Sequence, residues 1–106
     1  MKEAPIEERL RVGIEDMHGL CYKLTVPGRR NMPDRLITLP FLDPHMVETK
    51  RPGKDATDAQ KREHIRLKMR RMPVYVLNTI ELVDEHLAML EKAYQKWRAS
   101  RSRYEK

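Results

Sequence analysis

Two stretches decide the fold: Arg29-Arg30-Asn31-Met32-Pro33-Asp34-Arg35-Leu36-Ile37-Thr38-Leu39, and Met46-Val47-Glu48-Thr49-Lys50. The first is basic and turn-like as far as Pro33, then apolar and β-branched from Arg35 to Leu39, a strand that stops at Pro40. The second is a short strand from Met46 to Lys50, closed by Pro52-Gly53. Phe41 to His45 contains Asp43-Pro44 and reads as a connection, so the two strands form a hairpin. Strand side chains alternate faces, which puts Glu48 and Lys50 on one side, and the hairpin brings Asp34, where its strand begins, beside them. Two carboxylates and an ammonium then converge.

Outward from that hairpin, the chain reads as α, β, β, β, α, β, α. Upstream, Pro5 opens a helix in which Ile6, Leu10, Ile14 and Met17 recur at helical spacing, ending at His18-Gly19. Leu20 to Val26 is a strand that ends at Pro27-Gly28, and Cys21 within it is expected to be buried and without a chemical role. Downstream, Thr57-Asp58-Ala59-Gln60 has the form of a capping box, opening a helix that reaches about Met72. Val74 to Leu77, a near-continuous apolar run, is expected to be an internal strand buried on both faces. Asn78 or Thr79 caps a last helix whose stripe is Val83, Leu87, Leu90, Tyr94 and Trp97. Met69, Met72 and Met89 are expected to fill the core. Arg98 to Lys106 has no apolar period and is expected to be a frayed basic tail, which leaves one domain over residues 1–97.

The composition sets limits. A chain of 106 residues, 40% hydrophobic and 36% charged, buries one modest core under a densely charged surface. Its net charge of +6 favours partners that carry phosphate, nucleic acid before an anionic membrane surface. No apolar run approaches the roughly 20 residues that span a bilayer, and no signal-peptide pattern opens the chain, so a cytoplasmic protein is expected. The single cysteine excludes an internal disulfide and a thiolate zinc cluster.

Phosphodiester hydrolysis needs an activated water, charge neutralisation on the phosphoryl oxygens and a stabilised leaving alkoxide, all of which carboxylate-held divalent cations supply. Asp34 and Glu48 are the candidate ligands, with the Thr49 main-chain carbonyl as a third oxygen. Lys50 is placed to orient the attacking water and to offset developing charge. Pro-Asp occurs only at Pro33 and acid-x-Lys only at Glu48, both at strand positions where a shared site needs them.

Tyr22-Lys23-Leu24, Pro27-Gly28-Arg29-Arg30-Asn31-Met32-Pro33-Asp34-Arg35 and Val47-Glu48-Thr49-Lys50-Arg51-Pro52 together resemble the VRR-NUC nuclease domain. Asp58-Ala59-Gln60-Lys61 and Val74-Tyr75-Val76-Leu77 extend the resemblance, which runs from about Glu3 to Leu87. It implies a PD-(D/E)xK restriction-endonuclease-like α/β core, a mixed central sheet flanked by helices. It also implies magnesium- or manganese-dependent, structure-selective cleavage of branched DNA. The chain resembles the stand-alone phage or bacterial members, which are similar to Holliday junction resolvases and work as homodimers, here in a bacterial or phage-infected host cell. Asn31-Met32 replaces the glycine that often precedes the family's Pro-Asp, and Pro40 to Pro44 replaces a glycine-containing hairpin.

The family also uses an acid from its first helix, and Glu7 in Glu7-x-x-Leu10 matches that position as a metal ligand or close neighbour. The alternative for Glu7 is a solvated acid favouring the helix dipole. Glu3, before Pro5, is expected outside the helix. Gln60 matches a family position near the metal, while its capping-box role would account for it equally. His64 lies one turn later and either reaches the site or DNA, or packs. Arg29, Arg30 and Arg35 flank the site closely enough to grip phosphates, and Lys23 and Arg51, within the family-like motifs, join them as candidate DNA contacts. Two other functions compete: a non-catalytic DNA-structure-binding module on the same fold, and a helical interaction module built on the last helix.

Overall fold

The structure is a computed structural model that describes residues 2–104, with side-chain surroundings described as far as Arg101. The elements are α1 (Ala4–Asp16), β1 (Leu20–Lys23), β2 (Arg35–Leu39), β3 (Leu42–Thr49), α2 (Asp58–Lys68), β4 (Val74–Leu77) and α3 (Ile80–Tyr104), in the expected αβββαβα order. The strands lie side by side as β1-β2-β3-β4. β1, β2 and β3 run antiparallel in turn and β4 pairs parallel to β3, giving a mixed α/β sheet.

One face of the sheet carries the core. Ile6, Leu10 and Ile14 of α1 and Val83, Leu90 and Tyr94 of α3 close over Ile37, Leu39, Val47 and Leu77. The two helices approach closely because Gly13 has no side chain: a Cβ there would fall 2.4 Å from Leu87 Cδ1. Arg9 seals the seam through an ion pair with Asp84 at 2.6 Å. α1 ends as His18-Gly19 suggested, but His18 takes the left-handed conformation (φ 63°) while the Gly19 N–H returns to the Ile14 carbonyl at 2.9 Å. Gly19 is required by space, since its Cβ would meet Leu39 at 2.6 Å.

Several expectations are corrected. β1 stops at Lys23, because Val26 bridges to Arg29 around Gly28 (φ 80°). Cys21 is half-buried rather than buried, since β1 is an edge strand. Phe41 to His45 is not a connection: β2 and β3 turn over Pro40-Phe41, Leu39 pairs with Leu42, and β3 is eight residues long. Pro44 is tolerated there because β4 pairing starts only at Met46, so its missing N–H breaks no β3–β4 bond. α2 ends at Lys68, where Arg71 turns left-handed (φ 70°) and the Met72 N–H reaches the Leu67 carbonyl at 3.0 Å. β4 is an edge strand with Tyr75 exposed; the strand buried on both faces is β3, from His45 to Thr49.

Met69 and Met89 are exposed and Met72 half-buried, so they are not core filling. The expected frayed tail is helical from Arg98 to Tyr104, and Glu105 and Lys106 lie outside the described residues. Arg98 lies over the Tyr94 ring at 5.8 Å and Arg101 over the Trp97 ring at 4.7 Å, contacts that favour continuing the helix. Tyr94 and Trp97 pack on Phe41, with ring centroids at 5.5 and 5.9 Å.

Candidate active site

The site begins where the β2–β3 register runs out. Arg35 pairs with Val47, so Asp34, one residue before β2, comes level with Glu48 and Thr49. The Asp34 carbonyl accepts from the Leu24 N–H at 2.8 Å, which fixes the end of the arginine-rich loop. Its carboxylate is held by Thr49, whose N–H donates to Oδ1 at 3.0 Å and whose hydroxyl lies 2.8 Å from Oδ2. That hydroxyl is also 3.2 Å from Glu7 Oε1, and with a single proton it donates to one carboxylate at a time. Thr49, expected to contribute its carbonyl, also contributes its N–H and its buried hydroxyl to the site.

α1 supplies two acids. Glu7 lies half-buried at the edge of the Ile6-Leu10-Ile14 stripe, and Glu3, the N-cap residue, lies one turn before it. Carboxylate oxygens of Glu3, Glu7 and Asp34 all fall within 4.8 Å of one another, the one such group among the described residues. Burial, then the charges of Glu7 and Asp34, push the Glu3 carboxyl above the usual range. Glu3 was missed from the sequence because Pro5 marked the helix start; the four-residue step from Glu3 to Glu7 is the signal that could have found it.

Glu48, on the central strand, is 5% exposed. Burial, reinforced by Asp34 and Glu3 and opposed by Lys50, pushes its carboxyl up to about 7. Its Oε1 is buried without a hydrogen-bond partner and faces His64 Nε2 of α2 at 3.7 Å. Lys50 is half-buried and lines a cavity of about 340 Å³ with Glu3, Arg51, Lys54, Asp55 and Thr57. The residues expected from β2 and β3 are thus neighbours. The tight carboxylate group, however, is Asp34 with Glu7 and Glu3, and Glu48 stands beside it.

Gln60 sits at the start of α2 and completes the capping box, its Oε1 accepting from the Thr57 N–H at 2.9 Å while Thr57 Oγ1 accepts from the Gln60 N–H at 3.1 Å. Its amide oxygen is therefore committed to the helix start. Arg35, expected to contact phosphate, is largely buried: its side chain is 12% exposed, lies 3.7 Å from Glu7 Oε2 and has a buried Nε without a hydrogen-bond partner. Arg29 is exposed but pairs with Glu63 of α2 at 2.5 Å, tying the loop to that helix. Lys23, Arg30 and Arg51 are exposed.

The donor set is entirely carboxylate oxygen, which could hold a hard divalent cation such as magnesium or manganese. Burial, and then the mutual repulsion of the acids, raises the Glu3 and Glu48 carboxyls, and Glu48 Oε1 is left without a hydrogen-bond partner, so these residues fit such an ion.

No family model matches the chain. Over 82 residues it is 40% identical to "Putative nuclease p44" of Acyrthosiphon pisum secondary endosymbiont phage 1, covering 77% of this chain and 88% of that protein. A solved structure described as "VRR_NUC domain" superposes with a TM-score of 0.74 at 31% identity, covering 80% of this chain and 92% of that one. The chain belongs to the VRR-NUC family of nucleases. The VRR-NUC fold accounts for the order of elements and the mixed sheet, and it places Asp34, Glu48 and Lys50 on the hairpin that the sequence singles out. Among the described residues of this VRR-NUC nuclease, no helix is long and apolar enough to cross a membrane.

Proposed function

We propose that this VRR-NUC nuclease is a magnesium- or manganese-dependent endonuclease that hydrolyses phosphodiester bonds in branched DNA, in the manner of a Holliday junction resolvase. It acts as a homodimer, in the cytoplasm of a bacterial or phage-infected host cell. The observation that carries this reading is the meeting of Glu3, Glu7 and Asp34 beside a Glu48 carboxyl pushed up to about 7.

A divalent cation, when bound there, would supply neutralisation of phosphoryl charge and a more acidic water. Asp34, Glu48 and Glu7 would hold it, with the Thr49 main-chain carbonyl as a further oxygen, Glu3 beside them, and the Thr49 N–H and hydroxyl keeping Asp34 oriented. Lys50, at the wall of the cavity, orients the attacking water and offsets charge on the phosphoryl group. Gln60 acts through the capping box, which fixes Thr57 in that same wall. Arg51 at the cavity, with Lys23 and Arg30 exposed on the strand and loop that lead to Asp34, supplies phosphate contacts. The motif resemblance to stand-alone VRR-NUC proteins supports branched DNA and the dimer, since resolving a four-way junction takes two cuts and two related sites make them.

The test is incubation with a labelled four-way junction, a flap and plain duplex, in magnesium, manganese or chelator, beside Lys50→Ala. The expected result is metal-dependent, paired nicking of the junction that falls roughly 100-fold or more in the variant. Tight junction binding without cutting in any metal would make the protein a DNA-structure-binding module instead.

A further inference from the structure

We propose that His64 is a positioning residue that turns Glu48 toward the bound cation; the inference rests on the metallonuclease reading above. α2 is a charged helix, Asp-Ala-Gln-Lys-Arg-Glu-His-Ile-Arg-Leu-Lys, and His64 is its one buried residue. A helix that docks on a sheet ordinarily spends such a position on an aliphatic side chain. Here Ile65 is left 55% exposed and the imidazole goes inside.

What it meets there is Glu48. His64 Nε2 and Glu48 Oε1 are 3.7 Å apart, each buried and each without a hydrogen-bond partner. Two orphaned buried polar atoms facing one another are costly, and an approach of under about 1 Å would bring them to hydrogen-bonding distance and satisfy both. With Nε2–H donating to Oε1, the second oxygen of Glu48 is the one left for a cation. Partners of this kind fix the direction of a metal-ligating side chain without touching the metal.

The experiment counts Mn2+ bound to the full-length protein without DNA, by the loss of the free-ion paramagnetic resonance signal, in wild type, His64→Leu, His64→Gln, His64→Asn and Asp34→Ala. His64→Leu should weaken Mn2+ binding about 10- to 100-fold with its circular dichroism and unfolding temperature maintained. His64→Gln, whose amide can reach Glu48, should recover most of that loss, and the shorter His64→Asn should not. A purely structural role for His64 predicts no such split between the amides. Should His64→Leu fail to fold, the pair of amides decides: equal, wild-type-like Mn2+ binding by both overturns the inference. Wild-type binding that needs Asp34 but is indifferent to every change at His64 sinks the inference alone. Absence of Mn2+ binding by the wild type brings down the metallonuclease reading, and the inference with it.

Discussion

His45 Nε2 lies 2.8 Å from His86 Nε2, a hydrogen bond between two buried imidazoles that ties the central strand β3 to α3. Tyr75 of β4 packs against both rings, with centroids at 5.5 and 4.8 Å. One imidazole donates and the other accepts, so two imidazolium ions would face each other donor to donor.

Burial holds both histidines down to about 4, and His86 adds to the effect on His45. In the unfolded chain each titrates near about 6.5. The stability they contribute is therefore complete above about pH 6.5, is lost as the unfolded chain takes up protons between about 6.5 and 4, and changes no further below that. Glu48 works in the opposite sense over the same interval, so the clean measurement is a difference. The urea-unfolding advantage of wild type over His86→Leu should be about 2 kcal/mol smaller at about pH 5 than at about pH 7.5. An advantage that does not vary with pH would show that these histidines are not buried as neutral groups.

Glu48→Gln should stabilise the metal-free protein while abolishing cutting. With the folded carboxyl up at about 7, ionised Glu48 opposes folding increasingly as pH rises from about 4.5 to about 7. An amide keeps the shape and removes the charge, for an expected gain of about 2 kcal/mol at about pH 8. Thermal unfolding checks it, and saturating Mn2+ should narrow the gap by stabilising only the wild type. A destabilised Glu48→Gln protein would contradict the reading that burial of the ionised Glu48 carboxylate opposes folding.

Thr49→Val preserves volume but removes the hydroxyl shared by Asp34 and Glu7. Stability should fall by about 1 kcal/mol and metal-dependent cutting by roughly 10- to 100-fold, whereas Thr49→Ser should cut nearly as wild type. If Val and Ser cut equally well, the hydroxyl does not hold the carboxylates in place.

The element order was legible because each element carries its own period and each boundary its own proline, glycine or cap; β2 and β4 fall at the expected residues. The position of strands within the sheet was not. An apolar run, Val74 to Leu77, suggested an internal strand, yet the buried strand is β3, which spends inward positions on His45, Glu48 and Thr49. Polarity in the letters hides burial where side chains serve chemistry or pair with one another. The same reason explains the site. The proximity of Asp34, Glu48 and Lys50 was legible because strand alternation is a local rule, while Glu3 joins them only through the docking of α1 on the sheet. The length of α3 was hidden because aromatic–arginine contacts, not an apolar stripe, accompany its last turns.

The seam between α1 and α3 has a consequence for the order of synthesis. Glu3, Glu7, Asp34, Glu48 and Lys50 are all synthesised before α3, and α1 packs on α3 through Leu87 against Gly13 and through the Arg9–Asp84 pair. A growing chain thus holds every acid of the site before the helix that completes the packing of α1 has been made, and cutting ability is expected to arrive with that helix. A fragment ending at Thr79 should contain the full set of these residues and leave the labelled junction uncut.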